Sequence, residues 1–243
     1  MATTTDATPV RSRLRGGAAA AAARSVLTDG RFPSGGHAHS AGFEAATALG
    51  ELDHPAELRR FLDGRLATTG TTDAWLVGAI AARIDDDTID WDEADAEVQA
   101  RIMSPTLRTV SRSLGRQWLR AGRRIWPDPL LDAVGRSGNE SPHQVAAFTA
   151  VASIAGLAPI EAVAVHLHHL VSAVTTAAVR LHGLDPFVAQ RHHLDALERW
   201  HPLVEASAAA GATPWRELPA PSGPMTDIAA ERHAVTDGRL FQS

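Results

Sequence analysis

Twelve histidines and no cysteine decide where metal or acid–base chemistry could sit in this chain of 243 residues. His37 and His39 stand two apart, His166, His168 and His169 crowd one stretch, and His192 adjoins His193. On a helix, His166 and His169 share a face, a spacing that suits bidentate capture of a metal ion. A transition-metal site needs three or four converging ligands, and spacing places no further one. The histidines are therefore read as core or interface residues. Glu140-Ser141-Pro142-His143 and Glu198-Arg199-Trp200-His201 match the Glu-x-x-His pair of carboxylate-bridged helical bundles. Such motifs must lie mid-helix, whereas Pro142 and Pro202 put both at helix boundaries, which argues against di-iron chemistry.

Catalysis finds no other foothold. Without Cys there is no thiolate nucleophile, no thiolate metal ligand and no disulfide. All 23 cationic side chains are Arg, which excludes a P-loop lysine and Schiff-base chemistry. No Ser-His-Asp arrangement or nucleophile elbow is present, so the chain is read as a non-enzyme. Charge recognition is the remaining chemistry. Asp85, Asp86, Asp87, Asp90, Asp92, Glu93, Asp95 and Glu97 form an acidic block. Arg108, Arg112, Arg116 and Arg120 then recur every fourth residue, with Arg123 and Arg124 beyond. That spacing lines guanidinium groups along one helix face, where like charges repel by about 0.2–0.5 kcal/mol per pair. Two explanations stay open: a solvated face partly neutralised by the acidic block, or a protein interface that uses Arg as a bidentate anchor.

These groups need elements to carry them. A content of 44% hydrophobic and 21% charged residues is ordinary for a globular protein, and a net charge of −5 gives no reason to expect binding to nucleic acid or an anionic membrane. Ser104-Pro105, Asp128-Pro129, Ser141-Pro142 and Asp185-Pro186 each set a capping side chain before Pro at a first helical position. Gln144 completes a capping box with Ser141. Between these marks apolar residues recur at three and four, as in Trp75, Val77, Ile80 and Ile84, or Leu107, Val110, Leu114 and Trp118, while β-branched runs of period two are missing. The predicted fold is all-α: a single compact domain of about eight to ten helices with an extended C-terminal tail. Residues 159–182 are apolar on nearly all faces between Glu161 and Arg180, which makes them the central core helix. Within it, residues 162–179 carry no formal charge and reach the length of a short membrane span, but their His, Ser and Thr content fits a buried helix better.

Residues 1–16 read as a disordered Thr/Arg tail, because the alanine run that follows Arg11, Arg13 and Arg15 is too weakly hydrophobic for a signal peptide. Residues 17–210 read as the helical domain. Residues 211–243 read as a Pro-rich spacer, with Pro214, Pro219, Pro221 and Pro224, and a short amphipathic tail. The terminal Leu240-Phe241 pair is costly to leave in water, so the tail docks on its own domain or on a partner. A cytoplasmic protein is expected.

The run Arg31-Phe32-Pro33-Ser34-Gly35-Gly36-His37-Ala38-His39-Ser40-Ala41-Gly42-Phe43-Glu44 is a shaped turn: Pro33 fixes one backbone angle and the two glycines can take positive φ. Ser40 is the N-cap candidate for a helix over residues 40–49. This string resembles the signature of the urease accessory protein UreF family, Leu-Pro-x-Gly-Gly-x-x-x-Ser-x-Gly-Leu-Glu. Further resemblances follow in order along residues 26–243. They are Gly115-Arg116-Gln117 inside the Arg-rich helix, His143 to Ala155 leading into Gly156-Leu157-Ala158-Pro159-Ile160-Glu161-Ala162, residues 174–180 ending in Arg180, Asp227-Ile228-Ala229 with His233, and the terminal Arg239-Leu240-Phe241-Gln242-Ser243. The chain departs from the family where His37 replaces a common aromatic, where Phe32 and Phe43 replace leucines, and where residues 184–193 keep only Gln190 and Arg191 of a Gln-rich pattern.

The resemblance implies an all-α homodimer without catalysis or a stably bound cofactor, whose nickel is handled by the complex. The implied partners are the nickel-carrying GTPase UreG, the accessory protein UreD (also called UreH) and apo-urease, with GTP hydrolysis coupled to nickel insertion. The implied partner-binding residues are Pro33, Gly35, Gly36, His39, Ser40, Gly42 and Glu44 in the loop; Arg112, Arg116, Gln117 and Arg120 on the Arg helix; and Asp227, His233, Arg239, Leu240 and Phe241 in the tail. The loop and Arg row are expected to meet UreG. The tail is expected to order on UreD through Leu240 and Phe241, with Arg239 fixing its register. The alternative is a helical metal-binding protein, a nickel store or metalloenzyme, built on the His clusters.

Overall fold

Three helices begin where a short polar side chain precedes proline. The structure, a computed structural model, describes residues 17–50, 55–137, 141–211, 213–236 and 238–241. The expected tail 1–16, Glu140 of one Glu-x-x-His motif, and the terminal Gln242-Ser243 lie outside the described residues. The chain runs through α1 (Gly17–Thr28), a 3-10 turn (Gly36–Ala38), α2 (Phe43–Ala48), α3 (Pro55–Arg65), a π turn (Leu66–Gly70), α4 (Thr71–Asp85), α5 (Trp91–Arg101), α6 (Pro105–Ile125) and α7 (Pro129–Val134). It continues through α8 (Gln144–Ile154), α9 (Pro159–His182), α10 (Pro186–Arg199), α11 (His201–Ala208), a 3-10 turn (Trp215–Glu217) and α12 (Pro224–Ala234). No strand occurs among the described residues, and the all-α expectation holds.

Three of the four cap–proline pairs act as expected. Ser104 Oγ accepts from the Leu107 amide (3.1 Å), Asp128 from Leu130 (2.8 Å) and Asp185 from Phe187 (2.7 Å). The fourth does not. α8 starts at Gln144, after His143, and the Gln144 amide donates instead to Ser111 Oγ of α6 at 3.1 Å. Ser141 serves elsewhere, its carbonyl accepting from Arg112 at 2.6 Å. A cap borrowed from another helix satisfies the same orphan amide, but sequence spacing does not show it.

α9 is the hub. It packs against α1, α2, α3, α4, α8, α10 and α11. It is also the one helix among the described residues long and apolar enough to cross a membrane, and here it is the core helix. α8 beside it is buried at every position from Val145 to Ile154. Glycines set the closest approaches. A Cβ on Gly115 of α6 would lie 1.9 Å from the Pro142 carbonyl oxygen, and one on Gly78 of α4 would lie 1.9 Å from that of Ser207. Neither neighbour is a flexible side-chain end, so both contacts demand glycine.

The Pro-rich segment is pinned to the helices. Trp215 and Leu218 are buried, and the Arg83 guanidinium lies 4.0 Å over the Trp215 ring while donating to the Gly211 and Thr213 carbonyls at 3.3 and 2.7 Å. Arg101 donates to the Trp215 carbonyl at 2.5 Å.

Gly115→Ala is expected to destabilise the domain by about 1–3 kcal/mol through overpacking. Gly64→Ala, in open space on α3, is expected to be neutral or stabilising by up to about 1 kcal/mol. Urea denaturation of the two variants checks the contrast.

Candidate partner-binding surface

The loop of residues 31–44 is held from below by aromatic stacking. Phe32 is buried against Trp118 of α6 (ring centroids 4.9 Å apart) and Trp126 (6.3 Å). Of the two adjacent glycines, Gly35 takes the left-handed conformation, with φ +80°. A Cβ there would lie 2.2 Å from Gln117 Oε1, so the loop backbone rests on the Gln117 side chain. Gly42, at φ +85°, turns the chain into α2, which begins at Phe43, three residues later than Ser40. The N-cap is therefore Gly42 and not Ser40, but the buried Ser40 hydroxyl still accepts from the first-turn amide of Glu44 at 3.2 Å. Pro33 and His37 are exposed, whereas His39 is buried.

Glu44 then reaches across to the other end of the chain. Its carboxylate accepts from His233 Nε2 (3.0 Å), the Leu240 amide (2.6 Å) and the Phe241 amide (2.8 Å). Phe241 is 2% exposed and lies beneath the Arg180 guanidinium at 4.6 Å. The tail docks on its own domain. Arg239 donates to the His233 and Ala234 carbonyls (3.3 and 2.7 Å), closing the C-terminus of α12. Leu240 points outward and is 53% exposed. Asp227 faces inward, close enough to Arg65 to favour its charged form.

α12 also grips the start of the Arg helix. Glu231 accepts from Ser104 Oγ, from the Thr106 amide (3.0 Å) and from Thr106 Oγ1 (2.9 Å), and these bonds hold its carboxyl below the usual range. Loop, Arg helix and tail, far apart in sequence, therefore form one contiguous region. No periodicity marks Glu231, and sequence reasoning missed it.

The Arg row divides. Arg112 is drawn into the protein, donating to Asp95 (3.1 Å), Gln99 (3.0 Å) and the Ser141 carbonyl. Arg108 donates to the Ile102 carbonyl at 2.6 Å, and Arg123 pairs with Asp132 at 3.0 Å. Arg116 and Arg120 are exposed and form no ion pair among the described residues. Of the acidic block, Asp95 pairs with Arg112 of the row, and its other oxygen accepts from the His143 amide at 2.9 Å. His143, fully buried, lies 3.0 Å from Ser111 Oγ and 2.6 Å from Gln99 Oε1. Gln99 Oε1 can only accept, so Nε2–H donates to it, and Nδ1 of the neutral ring accepts from the Ser111 hydroxyl.

Burial governs the histidines. Desolvation pushes His39, His143 and His193 down to about 4, and His169 to about 3. His166 Nε2 lies 3.1 Å from Asp73, and His193 Nε2 lies 3.0 Å from His168 Nδ1. His201 is exposed beside Glu205 at 3.8 Å. Among the described residues no group of three or more His, Asp or Glu is placed to hold a metal ion.

A family model described as UreF matches residues 52–198. Proteins named urease accessory protein UreF from Mycolicibacterium vanbaalenii, Mycobacterium sp. (strain JLS) and Mycobacterium tuberculosis are 36%, 35% and 34% identical to this chain, covering 90% of it and 96% of each relative. The chain belongs to the UreF family. The UreF-like positions now have physical reasons: Gly35 and Gly42 for positive φ, Gly115 for contact with a backbone carbonyl, and Glu44 for three donors.

Two outcomes follow for this UreF-family fold. Glu44→Ala removes the acceptor of both tail amides, so hydrogen exchange at Leu240 and Phe241 is expected to speed by at least about tenfold, with α8 and α9 amides unchanged. The lowered histidines make the unfolded chain bind more protons than the folded one below its ordinary imidazole pKa of about 6.5. Stability is therefore full above that pH and is lost as pH falls towards 4. Urea midpoints at pH 7.5, 6 and 5 are expected to fall in that order.

Proposed function

We propose that this chain is a non-catalytic urease-maturation chaperone, cytoplasmic and homodimeric, that joins the nickel-carrying GTPase UreG and the accessory protein UreD to apo-urease. GTP hydrolysis on UreG is thereby coupled to nickel insertion. Family membership supports the role in urease maturation. The absence of Lys and Cys agrees with a protein that leaves nucleotide and thiolate chemistry to its partners.

The observation that carries the proposal is the convergence of three distant segments through Glu44, Gln117 and Glu231. A protein without a catalytic group acts by presenting surfaces, and here two adjoin. One is the loop with exposed Arg116 and Arg120, whose unpaired guanidinium groups suit an acidic or carbonyl-rich partner face. This surface is assigned to UreG. The other is the outward face of α12, where Met225, Ile228 and Val235 are 58%, 50% and 84% exposed, continued by Leu240. Residues 225, 228 and 235 share a helix side, and such an apolar stripe suits a partner groove. This surface is assigned to UreD. Phe241 and His233, both buried, support it from within, and the exposed Arg239 ties the tail to the end of α12.

Pull-down and urease activation in cells test both faces. Arg116→Glu with Arg120→Glu is expected to lower UreG recruitment at least about tenfold while UreD still binds; Ile228→Asp with Val235→Asp is expected to do the reverse. Unchanged recruitment and activation in a folded double variant would remove the corresponding face from the proposal.

A further inference from the structure

Beneath the loop lies a cavity of about 340 Å³, at the lower end of the size range of small-molecule sites, roughly 300–1,000 Å³. Its wall includes Arg65, Thr69, Asp73, His166, His169 and Asp227. Arg65 and Thr69 flank or occupy the π turn, a local irregularity that recurs at functional sites.

The polar groups here are incompletely matched. Arg65 is 7% exposed; its Nη1 donates to Thr69 Oγ1 at 3.0 Å, and its Nε has no hydrogen-bond partner. No carboxylate among the described residues is in ion-pair contact with it; burial lowers its pKa, and the nearby charges of Asp73 and Asp227 offset only part of that. A guanidinium left in this state is costly, since each buried charge needs a counter-charge in hydrogen-bonding contact. The acceptors are as telling. His166 Nε2 lies 3.1 Å from the Asp73 carboxylate, and its buried Nδ1 has no partner. His169 bonds the Leu27 carbonyl through one nitrogen and leaves Nε2 without a partner. Asp227 has neither ion pair nor side-chain hydrogen bond among the described residues.

We propose that this cavity binds a small zwitterion of the α-amino-acid class, its carboxylate on Arg65 and its ammonium turned to Asp227 and the Nε2 lone pair of His169. Charge balance selects this class. Among the charged groups lining the cavity, the carboxylates of Asp29, Asp73 and Asp227 outnumber the guanidinium groups of Arg65 and Arg101, so a simple anion would add to the excess of negative charge. A simple cation would leave the Arg65 Nε–H uncovered. A zwitterion leaves the net charge unchanged and supplies both the missing acceptor and the missing donors. The cavity lies under the loop and the inner side of α12, and its proposed ligand does not depend on the maturation role.

Thermal unfolding and calorimetric titration of the full chain, with glycine, L-alanine and L-histidine set against acetate and methylammonium, test the proposal. At least one amino acid is expected to bind saturably and raise the melting temperature by about 3–6 °C at tenfold above its Kd. Acetate and methylammonium are expected to bind at least tenfold more weakly. Arg65→Met and Asp227→Asn are each expected to weaken amino-acid binding at least tenfold. If Arg65→Met fails to fold, Asp227→Asn and the line width of ¹³C-glycine with the unaltered protein carry the test. The proposal is overturned if no amino acid binds, if acetate binds as tightly as the amino acids, or if Asp227→Asn binds unchanged.

Discussion

A carboxylate withdrawn from water must be given donors, and Glu44 is given three by residues nearly two hundred positions away. Hydrogen bonds to a charged acceptor are worth about 1.5–3 kcal/mol each, and a buried carboxylate that loses them keeps its desolvation penalty. The arrangement is thus mutual. The tail needs Glu44 because the Leu240 and Phe241 amides follow the end of α12 and have no helical partner. Glu44 needs the tail because α2 offers its carboxylate no donor. Gly42 and Ser40 set the direction of approach, one by its positive φ and the other by capping the first turn of α2. A change at any of these positions reaches both chain ends.

This coupling gives the tail two sides with different tasks. Its inner side, with His233, Arg239 and Phe241, is spent on holding α12 to the domain. Its outer side, with Met225, Ile228, Val235 and Leu240, keeps apolar area that the chain itself does not cover. The Arg helix is divided in the same way. Arg112 is committed to Asp95 and Gln99, and Arg116 and Arg120 remain at the surface. In both elements the fixed half orders the free half before any partner arrives, which lowers the entropy lost on binding.

What the sequence makes legible is local. Ser104, Asp128 and Asp185 cap the helices that their prolines begin, and the all-round apolar pattern of α9 locates the hub, because capping and burial periodicity act within a few residues. What it hides is long-range pairing. The Ser141 capping box gives way to a cap from Ser111, thirty-three positions from Gln144, because the helix starts after His143 and leaves Ser141 outside the cap position. The regular Arg spacing reads as one stripe, yet its members part company according to which neighbour offers an acceptor. The tail's amphipathic ending states that Leu240 and Phe241 need cover without stating whose, since hydrophobic burial is non-directional and Glu44 carries no periodic signal. The loop was the most legible part of the site, because positive φ and a cap leave residue types that can be recognised one by one.

The buried histidines follow from the same economy of donors. An imidazole kept neutral by burial offers one donor and one acceptor, which lets it join groups that a charged side chain would disrupt. His143 does this between Ser111 and Gln99, and His168 and His193 do it with each other and the Thr28 carbonyl. Each such link orders a specific pair of helices at low charge cost, but it holds only while the ring stays neutral. The histidines that first suggest metal chemistry are thus better understood as joints between helices. Where they meet the cavity under the loop, the joints are left incomplete, with His166 Nδ1, His169 Nε2 and Arg65 Nε all unmatched within one region. A fold that satisfies most of its buried polar groups through bonds this specific has little reason to gather these three and Arg101 Nε around one cavity, unless what completes them comes from outside the chain.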